Sequence, residues 1–104
     1  MIVRSWRGRA AVEKQDAYPA HFAHNVLPAL GGIEAFLGAT LLREVQGDMI
    51  EFLVLTRWAS LEAIRAFAGA DLGKAVVEPE AVAALIRFDP TVRHYEVVQE
   101  ATAG

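Results

Sequence analysis

The sequence predicts an α+β domain of ferredoxin-like type, β-α-β-β-α-β, with four strands in one antiparallel sheet and both helices on one face of it. Three observations carry this. The apolar patterns run in the order strand, helix, strand, strand, helix, strand. A Gly47-Asp48 pair between the second and third strands marks a hairpin. Each helical connection is long enough for a right-handed crossover between parallel strands.

The first strand covers Ile2 to Arg9, with Ile2, Arg4, Trp6 and Gly8 on one face and Val3, Ser5, Arg7 and Arg9 on the other. Arginine in such a strand marks an edge or a strand end near solvent, or else Arg7 enters a pocket as an anion or carbonyl clamp. A helix from about Glu13 to Leu30 follows, since Tyr18, Phe22, Val26, Ala29 and Ile33 make one apolar stripe. Asp16 is placed as its N-cap, which puts Pro19 in the first turn, where proline is tolerated. Pro28 has no such excuse and is expected to kink the last turn and free the carbonyl of His24, before Gly31 and Gly32 end the helix.

The second strand is read over Ala35 to Val45, and Gln46-Gly47-Asp48-Met49 joins it to the third through a type II′ turn, with glycine at the positive φ. The third strand, Met49 to Trp58, is the organising stretch. Ile50, Phe52 and Val54 are apolar on one face while Leu53 and Leu55 are apolar on the other, so both faces need cover. Helices of the same chain cover one face, and a second copy of the chain is the simplest cover for the other. Ser60 caps the next helix, whose apolar face is Leu61, Ile64, Phe67 and Ala68. Gly69 and Gly73 interrupt it, a second helical piece runs from Pro79 to Ile86, and Asp89-Pro90 is a turn. The last strand is read over Thr91 to Gln99, with residues 100–104 a frayed tail.

With 104 residues, 54% of them hydrophobic, the chain is read as one domain, 1–104, with a core that needs no staples. There is no cysteine, so disulfides and thiolate metal sites are excluded. Ten basic and thirteen acidic residues give a formal charge of -3 with no basic cluster, which argues against nucleic acid and anionic membrane as partners. No apolar run reaches membrane-spanning length and the N-terminus lacks the pattern of a leader, so a cytoplasmic protein is expected.

Trp58-Ala-Ser-Leu-Glu-Ala-Ile-Arg-Ala-Phe-Ala-Gly-Ala-Asp, Ala75-Val-Val-Glu-Pro-Glu-Ala, the ending Val92-Arg-His-Tyr-Glu-Val97, Pro28 and the Gly32 to Leu42 segment together resemble the antibiotic biosynthesis monooxygenase proteins of the dimeric α+β barrel superfamily. The resemblance implies a homodimer whose sheets pack into a barrel, with an apolar cavity between each sheet and its helices for a small apolar or aromatic ligand. It also implies a choice of activities: cofactor-independent oxygenation of phenols, haem degradation, handling of reactive aldehydes, or none. In the haem-degrading branch an asparagine, a tryptophan and a haem-ligating histidine stand where this chain has Arg7, Phe67 and Val77. None matches, and valine cannot ligate iron, so haem degradation by that route is not expected.

Of the groups able to do chemistry, Tyr18, His21 and Asn25 share one edge of the first helix at spacings of three and four, beside His24. Either they point into the cavity or the two histidines are boundary residues of an amphipathic helix. His21 and His24 lack a third metal ligand, which would have to be a carboxylate such as Glu96, and no metal or other cofactor is assigned. His94, mid-strand with Val92 and Glu96 on its face, is either a satisfied core residue or a cavity-lining base. An imidazole suits removal of a phenolic proton near neutral pH, and Arg7 or Asn25 would then hold the anion. Trp58 and Trp6 read as packing residues or electron relays, with Trp58 and Phe67 as candidate substrate contacts. Glu44, Glu51, Glu62, Glu78 and Glu80 read as solvated edges or first-turn acids. The function expected is a cofactor-independent monooxygenase for a small aromatic or quinone-type compound, against a non-catalytic barrel that binds an apolar metabolite.

Overall fold

In the computed structural model, which describes residues 1–104, the stretch 49–58 is β3 (Met49–Trp58) and sits inside the sheet. β1 (Ile2–Ala11) and β2 (Phe36–Gln46) pair with it on either side, both antiparallel. The free edge of β1 is paired by two short strands in turn, β4 (Arg87–Phe88) and β5 (Arg93–Glu96), so the sheet has five strands where four are expected. Asp89-Pro90, the expected turn before the last strand, instead divides that edge: proline has no N–H to give to a ladder. The Pro90 carbonyl accepts from the amide of Ala75, while the Asp89 amide donates to Arg7.

Between β1 and β2 lies a helical run over residues 17–31, shorter at its start than expected because residues Val12–Lys14 form a 3₁₀ turn. It consists of α1 (Ala17–His21), a π-helical turn (Phe22–Val26) and α2 (Leu27–Gly31). Asp16 does occupy the N-cap position, but its backbone is helical and its side chain caps nothing. Pro28 acts differently from the expected kink. The turn before it widens so that the amide of Leu27 bonds to the carbonyl of Phe22, and Pro28 falls in the first turn of α2, where its missing N–H matters least.

The local signals at the other corners are met. Gln46 pairs with Met49 across a turn with Gly47 at φ +65°, and no other residue of the turn has positive φ, as a II′ turn requires. Ser60 Oγ accepts from the amide of Ala63 at 3.3 Å and starts α3 (Leu61–Ala68), which ends at Gly69 with φ +78°. α4 (Pro79–Ala84) follows an irregular segment over residues 69–78.

The core lies on one sheet face. Ile50, Phe52, Val54 and Trp58 of β3 are buried there beneath Tyr18 and Phe22, Leu30, Ile64, Ala81 and Ala84 of the helical layer. The opposite face has an apolar centre of Leu42, Leu53, Leu55 and Tyr95, but Arg7, Arg9, Glu44, Glu51 and Arg57 share it, so it is less uniformly apolar than expected. Leu42 and Tyr95 are exposed on the single chain. No helix is long and apolar enough to cross a membrane.

Candidate functional site

A cavity of about 50 Å³ opens between the sheet and the helices, lined by Arg4 and Trp6 of β1, Tyr18 and His21 of α1, Phe67 of α3, Glu78, and a wall of apolar residues that includes Leu30, Val54 and Val92. Strand alternation decides which β1 residues reach it: the row Ile2, Arg4, Trp6, Gly8 faces the helices, and Arg4 pairs with Thr56 across the ladder.

Arg4 is the cation of the site. It is 4% exposed, and its guanidinium lies 5.8 Å over the Phe67 ring. Nη1 donates to the Leu72 carbonyl at 2.7 Å and to His94 Nε2 at 3.0 Å, and Nη2 donates to the Lys74 carbonyl at 3.0 Å. That uses three of the five N–H donors of an arginine. The ion pairs of the chain join Arg7 and Arg9 to Glu51 and Arg65 to Glu62, so Arg4 has no carboxylate partner. Burial lowers its pKa, but a guanidinium keeps its proton at any physiological pH.

His21 ends α1 and is 7% exposed. Asn25 Nδ2 lies 3.0 Å from its Nδ1, and the Tyr18 ring is 5.9 Å away, centroid to centroid. A ring nitrogen of His21 and one carboxylate oxygen each from Glu78 and Glu80 lie within 4.8 Å of one another, because α4 packs against α1. Tyr18 packs on Phe52 at 5.4 Å and Trp6 at 5.8 Å, and burial followed by the negative charge of Glu78 pushes its phenol well above its ordinary value. It is therefore a neutral hydrogen-bond donor at working pH and not a base. Trp6 spends its indole N–H on the Asp89 carbonyl at 2.7 Å.

The remaining expected residues fall elsewhere. His94 does not line the cavity; it stands behind Arg4, as its cross-strand partner. Arginine only donates, so His94 Nε2 accepts and the ring is neutral, consistent with a pKa lowered first by burial and then by the Arg4 charge. Arg7 is exposed on the opposite sheet face, 3.7 Å from Glu51, because odd-numbered β1 residues point away from the helices. His24 is exposed on the π turn, and Asn25, also exposed, touches the site only through His21. Trp58 is fully buried under the cavity floor, its indole bonded to Thr56 Oγ1 at 2.9 Å and its ring edge-on to Phe36, so it packs and does not line the cavity. Glu96 pairs with Ile2 across the sheet, and the carboxylates that do come near His21 are Glu78 and Glu80, read from sequence as first-turn acids. Val77, at the position of the haem-ligating histidine, packs against the core.

The sequence reading misses Arg4. Its signal was present: the same strand face carries Ile2 and Trp6, the apolar residues that a core-facing row needs, whereas the Arg7 row carries Ser5 and Arg9.

Comparison with known proteins gives these residues a setting. Haem-degrading MhuD from Mycobacterium tuberculosis, in a crystal structure with two haems bound in its active site, is 25% identical, with a TM-score of 0.66 over 98% of this chain and 100% of that one. A protein assigned as an antibiotic biosynthesis monooxygenase from Bacillus cereus is 18% identical, with a TM-score of 0.70 over 98% and 97% of the two chains. A Streptomyces coelicolor monooxygenase from the gene ActVA-Orf6, solved with the ligand nanaomycin D, is 18% identical, with a TM-score of 0.62 over 99% and 91%. No curated protein matches the sequence. The profile of the antibiotic biosynthesis monooxygenase family matches residues 1–79, which hold every cavity-lining residue except Ala81 and Val92, and the chain belongs to that family.

Proposed function

We propose that this chain is a cofactor-independent monooxygenase of a small aromatic or quinone-type compound carrying an acidic hydroxyl or activated methylene. The observation that carries the reading is a buried guanidinium without a counter-ion, Arg4, sharing an aromatic-lined cavity with an imidazole, His21. An oxyanion on the bound ring supplies the charge Arg4 lacks, through its two free N–H groups. His21 takes the proton, with the Glu78 and Glu80 carboxylates beside it. The Asn25 amide, turned by half a rotation, accepts from Nδ1–H and leaves Nε2 as the base. The electron-rich anion then reacts with dioxygen: a ring methylene becomes a carbonyl, one oxygen atom stays on the carbon and the other leaves as water. The base of this reading is thus His21, with His94 holding Arg4 in place.

A ring needs more room than about 50 Å³, since a cavity that accepts benzene is roughly 150 Å³. The segment over residues 69–78 has neither helix nor extended strand pairing, and it reaches Arg4 through two carbonyls, so ligand entry exchanges those bonds for bonds to the ligand. We also infer that the open sheet face meets a second copy through Leu42, Leu53, Leu55 and Tyr95.

Dioxygen uptake by metal-free protein with anthrone or hydroxynaphthalene compounds tests the reading. Uptake that depends on His21 and Arg4 is expected; tight binding without uptake would leave a ligand-holding barrel instead. Haem degradation is the second reading, favoured by the 25% identity to MhuD along the whole chain. A spectral titration with haem separates it: the first reading expects no Soret shift attributable to a histidine ligand.

A further inference from the structure

We propose that His21, Glu78 and Glu80 form a site for a first-row divalent cation, of the zinc or manganese type, at the rim of the cavity. This goes beyond the reading above and bears on it, because a cation here occupies the lone pair that His21 needs as a base.

Proximity is the first observation: one donor atom from each of the three side chains lies within 4.8 Å of the others. Donors around one tetrahedral ion at roughly 2.0–2.2 Å sit about 3.3–3.6 Å apart. The widest pair of the set must therefore close by about 1.2–1.5 Å, a shift within reach of the exposed Glu80 side chain. The second observation is independent of the first. His21 is 7% exposed, one of its ring nitrogens bonds Asn25, and the other bonds nothing in the protein and is open to solvent, where an ion can reach it. Charge is the third: neither Glu78 nor Glu80 makes an ion pair, and the groove that His21, Asn25 and Glu80 line also carries Glu13 and Asp16 against the single cation Lys14. One imidazole and two carboxylates make a borderline-hard donor set, which fits zinc, manganese or ferrous iron better than copper(I) or a thiolate-seeking ion. Asn25 supplies the support such a site requires once its amide is turned so that Oδ1 accepts from Nδ1–H, which leaves the Nε2 lone pair for the ion.

Glu78 lines the cavity and Glu80 the neighbouring groove, so the ion would stand where the two meet.

The experiment uses the full chain without an affinity tag, stripped with chelator, then titrated with zinc and separately with cobalt(II). Calorimetry should give one saturable site per chain, and cobalt should develop visible absorbance of a nitrogen- and oxygen-ligated ion. Glu80→Gln changes an exposed residue and keeps the fold, which a melting curve checks; it should weaken binding by about tenfold or more. His21→Gln should do the same, while His24→Gln and Glu13→Gln should leave affinity unchanged. No saturable binding, or binding that survives Glu80→Gln in a folded protein, overturns the site. These readouts need no turnover, so a protein that binds zinc but in its metal-free form consumes no dioxygen defeats the oxygenase reading alone, and one that oxygenates but binds no zinc defeats this one.

Discussion

Replacing Arg4 by methionine separates the charge of this side chain from its packing. The guanidinium is 4% exposed and bonded to the Leu72 and Lys74 carbonyls and to His94. Methionine fills much of the same volume but leaves those three acceptors without a donor. A buried unsatisfied group costs about 1–3 kcal/mol, yet Lys74 is exposed and Leu72 half-buried, so water reaches both carbonyls, and an uncompensated buried charge disappears at the same time. The net loss of stability is about 2 kcal/mol or less, a fall of roughly 10 °C in melting temperature for a domain of this size. Ligand binding suffers more selectively. A hydrogen bond to a charged group contributes about 1.5–3 kcal/mol, which is roughly a ten- to hundredfold loss of affinity. The assay is calorimetric titration of parent and Arg4→Met with a hydroxynaphthoquinone as its anion and with a methylated naphthoquinone of the same shape that cannot ionise. The anion should lose affinity by that factor and the neutral compound by much less. If a folded Arg4→Met binds the anion as tightly as the parent, Arg4 does not serve as the oxyanion partner, and the functional reading fails with it.

Three other perturbations test separate parts of the structure. His94 is held neutral, with its pKa lowered below the usual histidine value by burial and then by Arg4, so as pH falls through about 6.5 the unfolded chain binds this proton first. The stability it contributes is present above that pH and lost below it, until the folded-state value is passed; melting curves between pH 5 and 8 should show a shallower acid slope for His94→Gln than for the parent. Ala35 holds a left-handed backbone at φ +68°, which costs a residue with a Cβ about 1–2 kcal/mol, so Ala35→Gly should stabilise by about 0.5–1 kcal/mol after the added freedom of the unfolded chain, read as a rise of a few degrees in melting temperature. Leu55→Arg puts a charge at the apolar centre of the open sheet face, where Leu55 pairs with Ser5 and Thr40. Light scattering should give twice the chain mass for the parent and the chain mass for the variant; a parent that is monomeric at micromolar concentration refutes the pairing of sheet faces.

What could be read from the sequence was what short-range chemistry decides. The strand over 49–58, legible in its β-branched and aromatic content, the positive φ at Gly47 and the Ser60 cap each depend on a handful of neighbouring atoms, and each stands in the structure as read. β4 escaped because two residues, Arg87 and Phe88, carry no periodicity; their pairing with Gly8 and Arg9 exists only once β1 is in place. The π turn escaped for a related reason. Pro28 announces a broken hydrogen bond, but whether a helix answers by bending or by widening depends on what lies beneath it, here the buried Phe22 and Leu30. At the site, alternation along β1 sorts its residues into two rows, and only the packing of the helices decides that the Arg4 row meets the cavity while the Arg7 row lies on the opposite face. Glu78 was beyond reach altogether, since it is brought to His21 by the packing of α4 on α1.

The two histidines show why proximity to a cavity is a poorer guide to role than the partner each ring keeps. His94 Nε2 is committed to a permanent cation, so its lone pair cannot take a substrate proton without breaking that bond, and an imidazolium there would sit against Arg4. His21 is placed the other way round: its neighbours are an amide able to hold either tautomer and two carboxylates, with no fixed cation against its ring. Arg4 lies on the sheet wall and Glu78 beside His21 on the helical wall, so the cavity is polarised from one side to the other. A neutral, acidic ring bound across it gives up its proton toward the carboxylates and leaves its electrons toward the guanidinium, a charge separation that costs little in this site and much in an apolar one. A zinc ion among the same carboxylates would reverse the field at that end and remove the base in one step. Oxygen uptake should therefore fall as zinc is added, recover with chelator, and become insensitive to zinc in Glu80→Gln, which removes one ligand of the ion.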